Sequence, residues 1–129
     1  MNLSDLFGGG GAAGAAWQSM FRMTTNGGTM PTVVKNQPGV LGGIYLNCPS
    51  GDGTVAQLEI YDKSSAPIVG TDVPVLSFFS SPWGANSTEE GVIFTPANGI
   101  RFYNGISIAT TNRGTGGASN GSLVSLVYT

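Results

Sequence analysis

From Thr32 to Thr129 the chain is a succession of short apolar runs cut by glycine, proline, asparagine, aspartate and serine, and several runs alternate hydrophobic with polar residues. A period of two places successive side chains on opposite faces, which suits a strand and not a helix with 3.6 residues per turn. The runs are TVVKN (32–36), VLGGIYLNC (40–48), VAQLEIYD (55–62), VPVLSFFS (73–80), EGVIFTP (90–96), IRFYNGISIAT (100–110) and SLVSLVYT (122–129). Short strands at this spacing predict an all-β chain, a single antiparallel β-sandwich of jelly-roll or Ig-like type with about seven strands. In the third run Leu58 and Ile60 face away from Gln57, Glu59 and Tyr61, as in a strand with one wet side. Ile100, Phe102, Ile106 and Ile108 are expected on one face of a long strand, interrupted at Asn104-Gly105 by a hairpin turn or a bulge. The expected core is Val33, Val40, Leu41, Ile44, Leu46, Leu58, Ile60, Val75, Phe78, Ile93, Phe102, Ile106, Ile108, Val124 and Leu126. That is a modest core, so stability is expected to lean on an oligomeric interface.

The first thirty residues follow another pattern. NLSDLF (2–7) begins a turn that four glycines stop, and AAGAAWQSMFRM (12–23) predicts about three helical turns with Ala16, Met20 and Met23 on one face and Trp17 and Phe21 beside it. A helix of that length is marginal alone and needs a surface to dock on. The chain therefore divides into an extended or partly helical arm with a Gly-rich tether, residues 1–31, and a sandwich domain, residues 32–129. Leu3, Leu6, Phe7, Trp17, Met20 and Phe21 stand outside the strand pattern. Either they fold back on their own domain or they dock on a neighbour as an apolar face in a groove.

Chemistry is more constrained by what the chain lacks. There is no histidine, so the commonest general base and metal ligand are missing, and Ser-His-Asp or Cys-His catalysis is excluded. A single cysteine, Cys48, closes no internal disulfide and falls short of the usual zinc ligand sets; it is expected to be buried. Glu89 and Glu90 are adjacent and point to opposite faces of a strand, which leaves a long-range pair such as Glu59 with Glu90, or Asp72, as the enzymatic alternative. SGDG (50–53) offers one carboxylate where calcium needs six to eight oxygens, and reads as a turn. GGGGAAG (8–14) lacks the Lys-Ser/Thr ending of a phosphate loop, and the sequons at Asn86 and Asn120 read as turns. No cofactor and no metal are expected.

Only 9% of the residues are charged, against a usual share of about 25%, and the net charge is −2. With five scattered Lys and Arg there is no basic field for nucleic acid. Weak self-repulsion favours contact with copies of the chain or with another protein. No apolar stretch reaches the roughly 18 residues of a membrane span, and residues 1–16 hold Asp5 and no Lys or Arg, unlike a secretory signal. Tyr61, Trp83 and Tyr103 are candidates for stacking on sugar rings, with the loops 80–88 and 111–120 as a contact surface that includes Trp83, Asn86, Asn112 and Arg113.

VVKNQPGVLGGIYL, LEIYDKSSAPIVGTDVPVLSF, GVIFTPANGIRFYNGISIATT and SLVSLVYT together resemble the small β-sandwich domains of tailed-bacteriophage virion proteins, which decorate the capsid or form head fibres. The resemblance spans residues 33–129 and leaves out the arm. It implies a non-enzymatic decoration or cement protein, made in the host cytoplasm, that binds the major capsid protein or another virion protein at the capsid surface, often as a homotrimer. On that expectation the arm residues are the docking groups. The alternative is a head-fibre or tail-associated domain that binds a receptor or glycan through its loops.

Overall fold

The computed structural model describes residues 17–24, 29–48, 56–79, 88–93, 98–112 and 123–129. Among these residues nine strands form: β1 (Ser19–Thr24), β2 (Thr32–Lys35), β3 (Gly39–Cys48), β4 (Ala56–Asp62), β5 (Leu76–Phe79), β6 (Thr88–Ile93), β7 (Ile100–Phe102), β8 (Ile106–Asn112) and β9 (Leu123–Tyr128). Their pairing is nested and antiparallel: β1 with β9, β2 with β8, β3 with β6 and β7, and β4 with β5. The first half of the chain is thus zipped against the second as one long hairpin bent between β4 and β5. Two further ladders, β3 with β9 and β4 with β8, roll that hairpin into two sheets, ordered β1-β9-β3-β6 with β7 beside β3, and β2-β8-β4-β5. This is the jelly roll rather than the Ig-like sandwich.

The inward-facing residues of both sheets form one core. Leu41, Ile44 and Leu46 of β3, Val124 and Leu126 of β9 and Phe102 of β7 meet Leu58 and Ile60 of β4 and Ile106 and Ile108 of β8, all buried. Phe78 packs half-buried against this cluster. Four expected core members do not join it: Val33, Val75 and Ile93 are exposed, and Val40 is half-buried outside the cluster. Val33 and Ile93 fall on the outward phase of their strands. Val75 precedes β5, which begins at Leu76, and it is tied by its amide to the Ile60 carbonyl.

The helix expected over residues 12–23 is replaced, at Ser19–Thr24, by a strand. SMFRMT also alternates: Phe21 and Met23 pack on the core, while Met20 and Arg22 face out. Pairing with β1 satisfies the amides and carbonyls of β9 that would otherwise form a bare edge, and this outweighs the helical preference of the segment. The β1-β9-β3-β6 sheet therefore takes in residues that the sequence pattern assigns to the arm. Trp17, just before β1, is 2% exposed and lies in a slot made by two glycines. A Cβ on Gly42 would stand 2.1 Å from its indole Cδ2, and one on Gly99 would stand 2.3 Å from its Cη2.

The run 100–110 is two strands in different sheets, so Asn104-Gly105 is neither a hairpin turn nor a bulge but a crossing between layers. Asp62, at the end of β4, holds the crossing. Its carboxylate accepts the amides of Tyr103 at 3.1 Å, Asn104 at 2.7 Å and Gly105 at 3.3 Å. A Cβ at residue 105 would press to 2.6 Å from the Lys35 carbonyl oxygen, which explains the glycine. Phe102, Ile106 and Ile108 still share one core because both sheets face it.

Candidate functional site: an apolar hollow on an outer sheet face

The two outer faces of the sandwich differ. On the β2-β8-β4-β5 sheet, the Ser107 hydroxyl donates to the carbonyls of Lys63, at 2.7 Å, and Ser65, at 3.0 Å, which lays the start of the β4–β5 connection over the face. Tyr61, opposite Ser107 in the register, is buried rather than wet, and its hydroxyl donates to Glu59. Burial, reinforced by the Glu59 carboxylate, pushes the Tyr61 phenol above its ordinary range. Lys63 and Asp72 close the connection with an ion pair of 2.6 Å, and the Ile68 amide also donates to Asp72 at 2.6 Å. The Ile68 amide, then Lys63, hold the Asp72 carboxyl below its usual value.

Among the described residues, nothing lies over the outer face of the β1-β9-β3-β6 sheet. Alternation places two registered rows on it: Met20, Val127, Gly43 and Ile93, then Arg22, Ser125, Tyr45 and Gly91. These residues line a hollow of about 450 Å³. Met20 is 54% exposed, Ile93 59% and Tyr45 38%, whereas Val127 is buried and forms floor. The glycines open the hollow. A side chain at 43 would run into Val127 and Ile93, and one at 91 would meet the Tyr45 ring. Among the described residues, Arg22 is the one charged lining residue. Such a surface suits apolar side chains; a sugar needs several convergent hydrogen-bonding groups, and among the described lining side chains only Arg22, Ser125 and the Tyr45 hydroxyl offer any.

The structure redistributes the expected site residues. Trp17 is spent inside its own fold, and Phe21 packs half-buried on its own core, so neither is an outward docking group. Met20 does face outward and lines the hollow. Leu3, Leu6, Phe7, Trp83, Asn86 and Arg113 lie outside the described residues, and Asn112 ends β8 opposite Ala56. Of the candidate aromatics Tyr61 is buried and Tyr103 is exposed on the sheet crossing. Glu59 lies on β4 and Glu90 on β6, strands of different sheets. Among the described residues no three His, Cys, Asp or Glu side chains gather to hold a metal, and no helix is long and apolar enough to cross a membrane. Tyr45, Ile93, Val127 and the two glycines escape sequence inspection because each strand shows only one or two of them. They become a site only when four strands are laid side by side.

No family model matches the chain, and no curated protein does. Among solved structures it is similar to a chain of the cryo-EM structure of the giant freshwater prawn Macrobrachium rosenbergii extra small virus (XSV) VLP, at 12% sequence identity and a TM-score of 0.38, over 91% of this chain and 82% of that one.

Proposed function

We propose that this is a non-enzymatic structural protein of a virus particle, a decoration or cement protein that binds the capsid surface as an oligomer. The observation that carries the reading is the outer face of the β1-β9-β3-β6 sheet, an apolar surface with exposed Met20, Tyr45 and Ile93 around a hollow that two glycines leave open. Exposed apolar surface of this kind marks a protein contact. The jelly roll supports the setting by analogy, since the architecture recurs in viral capsid and lectin domains. The apolar lining favours a protein partner over a glycan. Three carboxylates are committed to structural donors: Glu59 to Gln57 and Tyr61, Asp62 to the sheet crossing, and Asp72 to Lys63 and Ile68. In this reading Leu3, Leu6 and Phe7, joined to the sandwich through the glycine tether, anchor the oligomer on the capsid, and several tethers per oligomer add avidity.

The test is location. Antibody raised against the purified chain should label intact, gradient-purified particles from the culture that produces it, and deletion of residues 1–7 should release the protein from them. Unlabelled particles alongside abundant free protein in the lysate would overturn the reading.

A further inference from the structure

The outer sheet face carries, within one surface, both the hollow and the groups that would fill one. Across β1, β9, β3 and β6 the first row reads Met20, Val127, Gly43, Ile93 and the second Arg22, Ser125, Tyr45, Gly91. A twofold axis lying in the face, parallel to the strands and midway between β9 and β3, leaves the rows in place and exchanges β1 with β6 and β9 with β3. It sets Val127 over the partner's Gly43, Tyr45 over the partner's Ser125, and Arg22 over the partner's Gly91. Met20 falls over the partner's Ile93. Three of the four pairings put a larger side chain opposite glycine or serine, and the fourth joins the two most exposed apolar groups of the face. Small residues fall mostly on the two central strands, where twisted sheets packed face to face approach most closely.

Charge agrees with the geometry. Arg22 lies on β1 and Arg101, which pairs with Val40, lies on β7 at the other side of the sheet. The axis keeps the two Arg22 residues three strand spacings apart, about 14 Å, and holds Arg22 two rows from the partner's Arg101, a similar distance. Both separations exceed the screening length of about 8–10 Å in ordinary salt.

We propose that this face is a self-complementary interface on which a second copy of the chain packs about that twofold axis. The proposal takes the face as an assembly surface from the reading above and names its partner; it is a pairwise contact, distinct from the trimer implied by the phage resemblance. Four strands by about six residues cover roughly 400 Å² per copy, or about 800 Å² for the pair, less than the roughly 1,200–2,000 Å² of stable complexes. The dimer is therefore reversible and concentration-dependent, and it gains permanence only when other contacts in an assembly add to it.

Sedimentation velocity of the full chain from about 10 μM to about 1 mM tests this, spanning the range in which a contact of that size associates. The wild type should pass from monomer to dimer, and Met20→Lys and Ile93→Lys, both at exposed sites, should each weaken the dimer at least tenfold with circular dichroism unchanged. A wild type monomeric at every concentration, or a dimer indifferent to both lysines, overturns the proposal and leaves the virion reading untouched. A dimer with the expected mutant response in a protein absent from particles supports the interface and removes the virion reading.

Discussion

If residues 17–24 are an integral part of the sandwich, the slot that holds Trp17 must be coupled to the glycines that form it, and a double-mutant cycle measures that coupling. Trp17→Ala empties a fully buried site and should cost about 3–5 kcal/mol. Gly42→Ala adds one methyl. Its Cβ would sit 2.1 and 2.2 Å from two indole carbons, whereas carbon atoms rest about 3.5–4.0 Å apart, so a rigid ring must retreat by about 1.5 Å. That overpacking should cost about 1–3 kcal/mol. Gly42 does not occupy the left-handed region, so alanine meets no backbone penalty there. In the Trp17→Ala background the methyl enters vacated space, and the stiffer unfolded chain can make the second change neutral or slightly stabilising. The two effects should thus be non-additive by about 1–3 kcal/mol. Urea unfolding followed by circular dichroism reads this directly. With a slope of about 1–3 kcal/mol/M, the Trp17→Ala midpoint should fall by about 2 M. Additivity within about 0.5 kcal/mol, or a cost below about 1 kcal/mol for Trp17→Ala, would refute the placement of this segment in the fold.

Asp62→Ala should destabilise by about 1–2 kcal/mol through loss of the acceptor for three amides. Burial opposes ionisation of Asp62, but the amides of Asn104, Tyr103 and Gly105 outweigh it and lower the carboxyl's pKa. The stabilisation is therefore complete above the ordinary carboxylate pKa and lost as pH falls through the lowered one, so acid titration of stability should bring the variant and wild type together only in strong acid. Tyr61, raised by burial, should ionise above the ordinary tyrosine range in an alkaline absorbance titration, and Tyr61→Phe should delete that step. Its contribution is present below the ordinary tyrosine pKa and is lost as pH rises through the raised one. Ser107→Ala leaves the carbonyls of Lys63 and Ser65 without this donor and should cost about 1–2 kcal/mol, with faster amide exchange confined to residues 63–75.

Where two-residue alternation is undisturbed, sequence and structure agree closely: Leu58 and Ile60 face the core, and β3, β4 and β9 end within a residue or so of the predicted bounds. The disagreements have a common origin in partners distant along the chain. SMFRMT has apolar residues at both two-residue and helical spacing, and only the unpaired edge of β9, a hundred residues later, decides between them. Asn104-Gly105 carries the chemistry of a turn, but Asp62 on another strand converts it into a crossing between sheets. Tyr61 alternates to the outside and is then covered by its own connection. The hollow was the least legible element, because Gly43, Tyr45, Gly91, Ile93 and Val127 acquire meaning as neighbours across ladders rather than along any one run.

The nesting of strand pairs also sets an order of events during synthesis. β1 is made early, yet its partner β9 is formed from residues 123–128, so the β1–β9 ladder cannot close until those residues have left the ribosome. Loop-closure entropy weighs against such distant pairing, and folding is correspondingly slow. Met20 and Arg22 meet Val127 and Ser125 only in that closure, so the outer face with its hollow is incomplete until residues 123–128 have paired. In the proposed dimer, contact through that face is in this way restricted to subunits in which β9 has paired with β1 and β3, so the ladder itself times the contact.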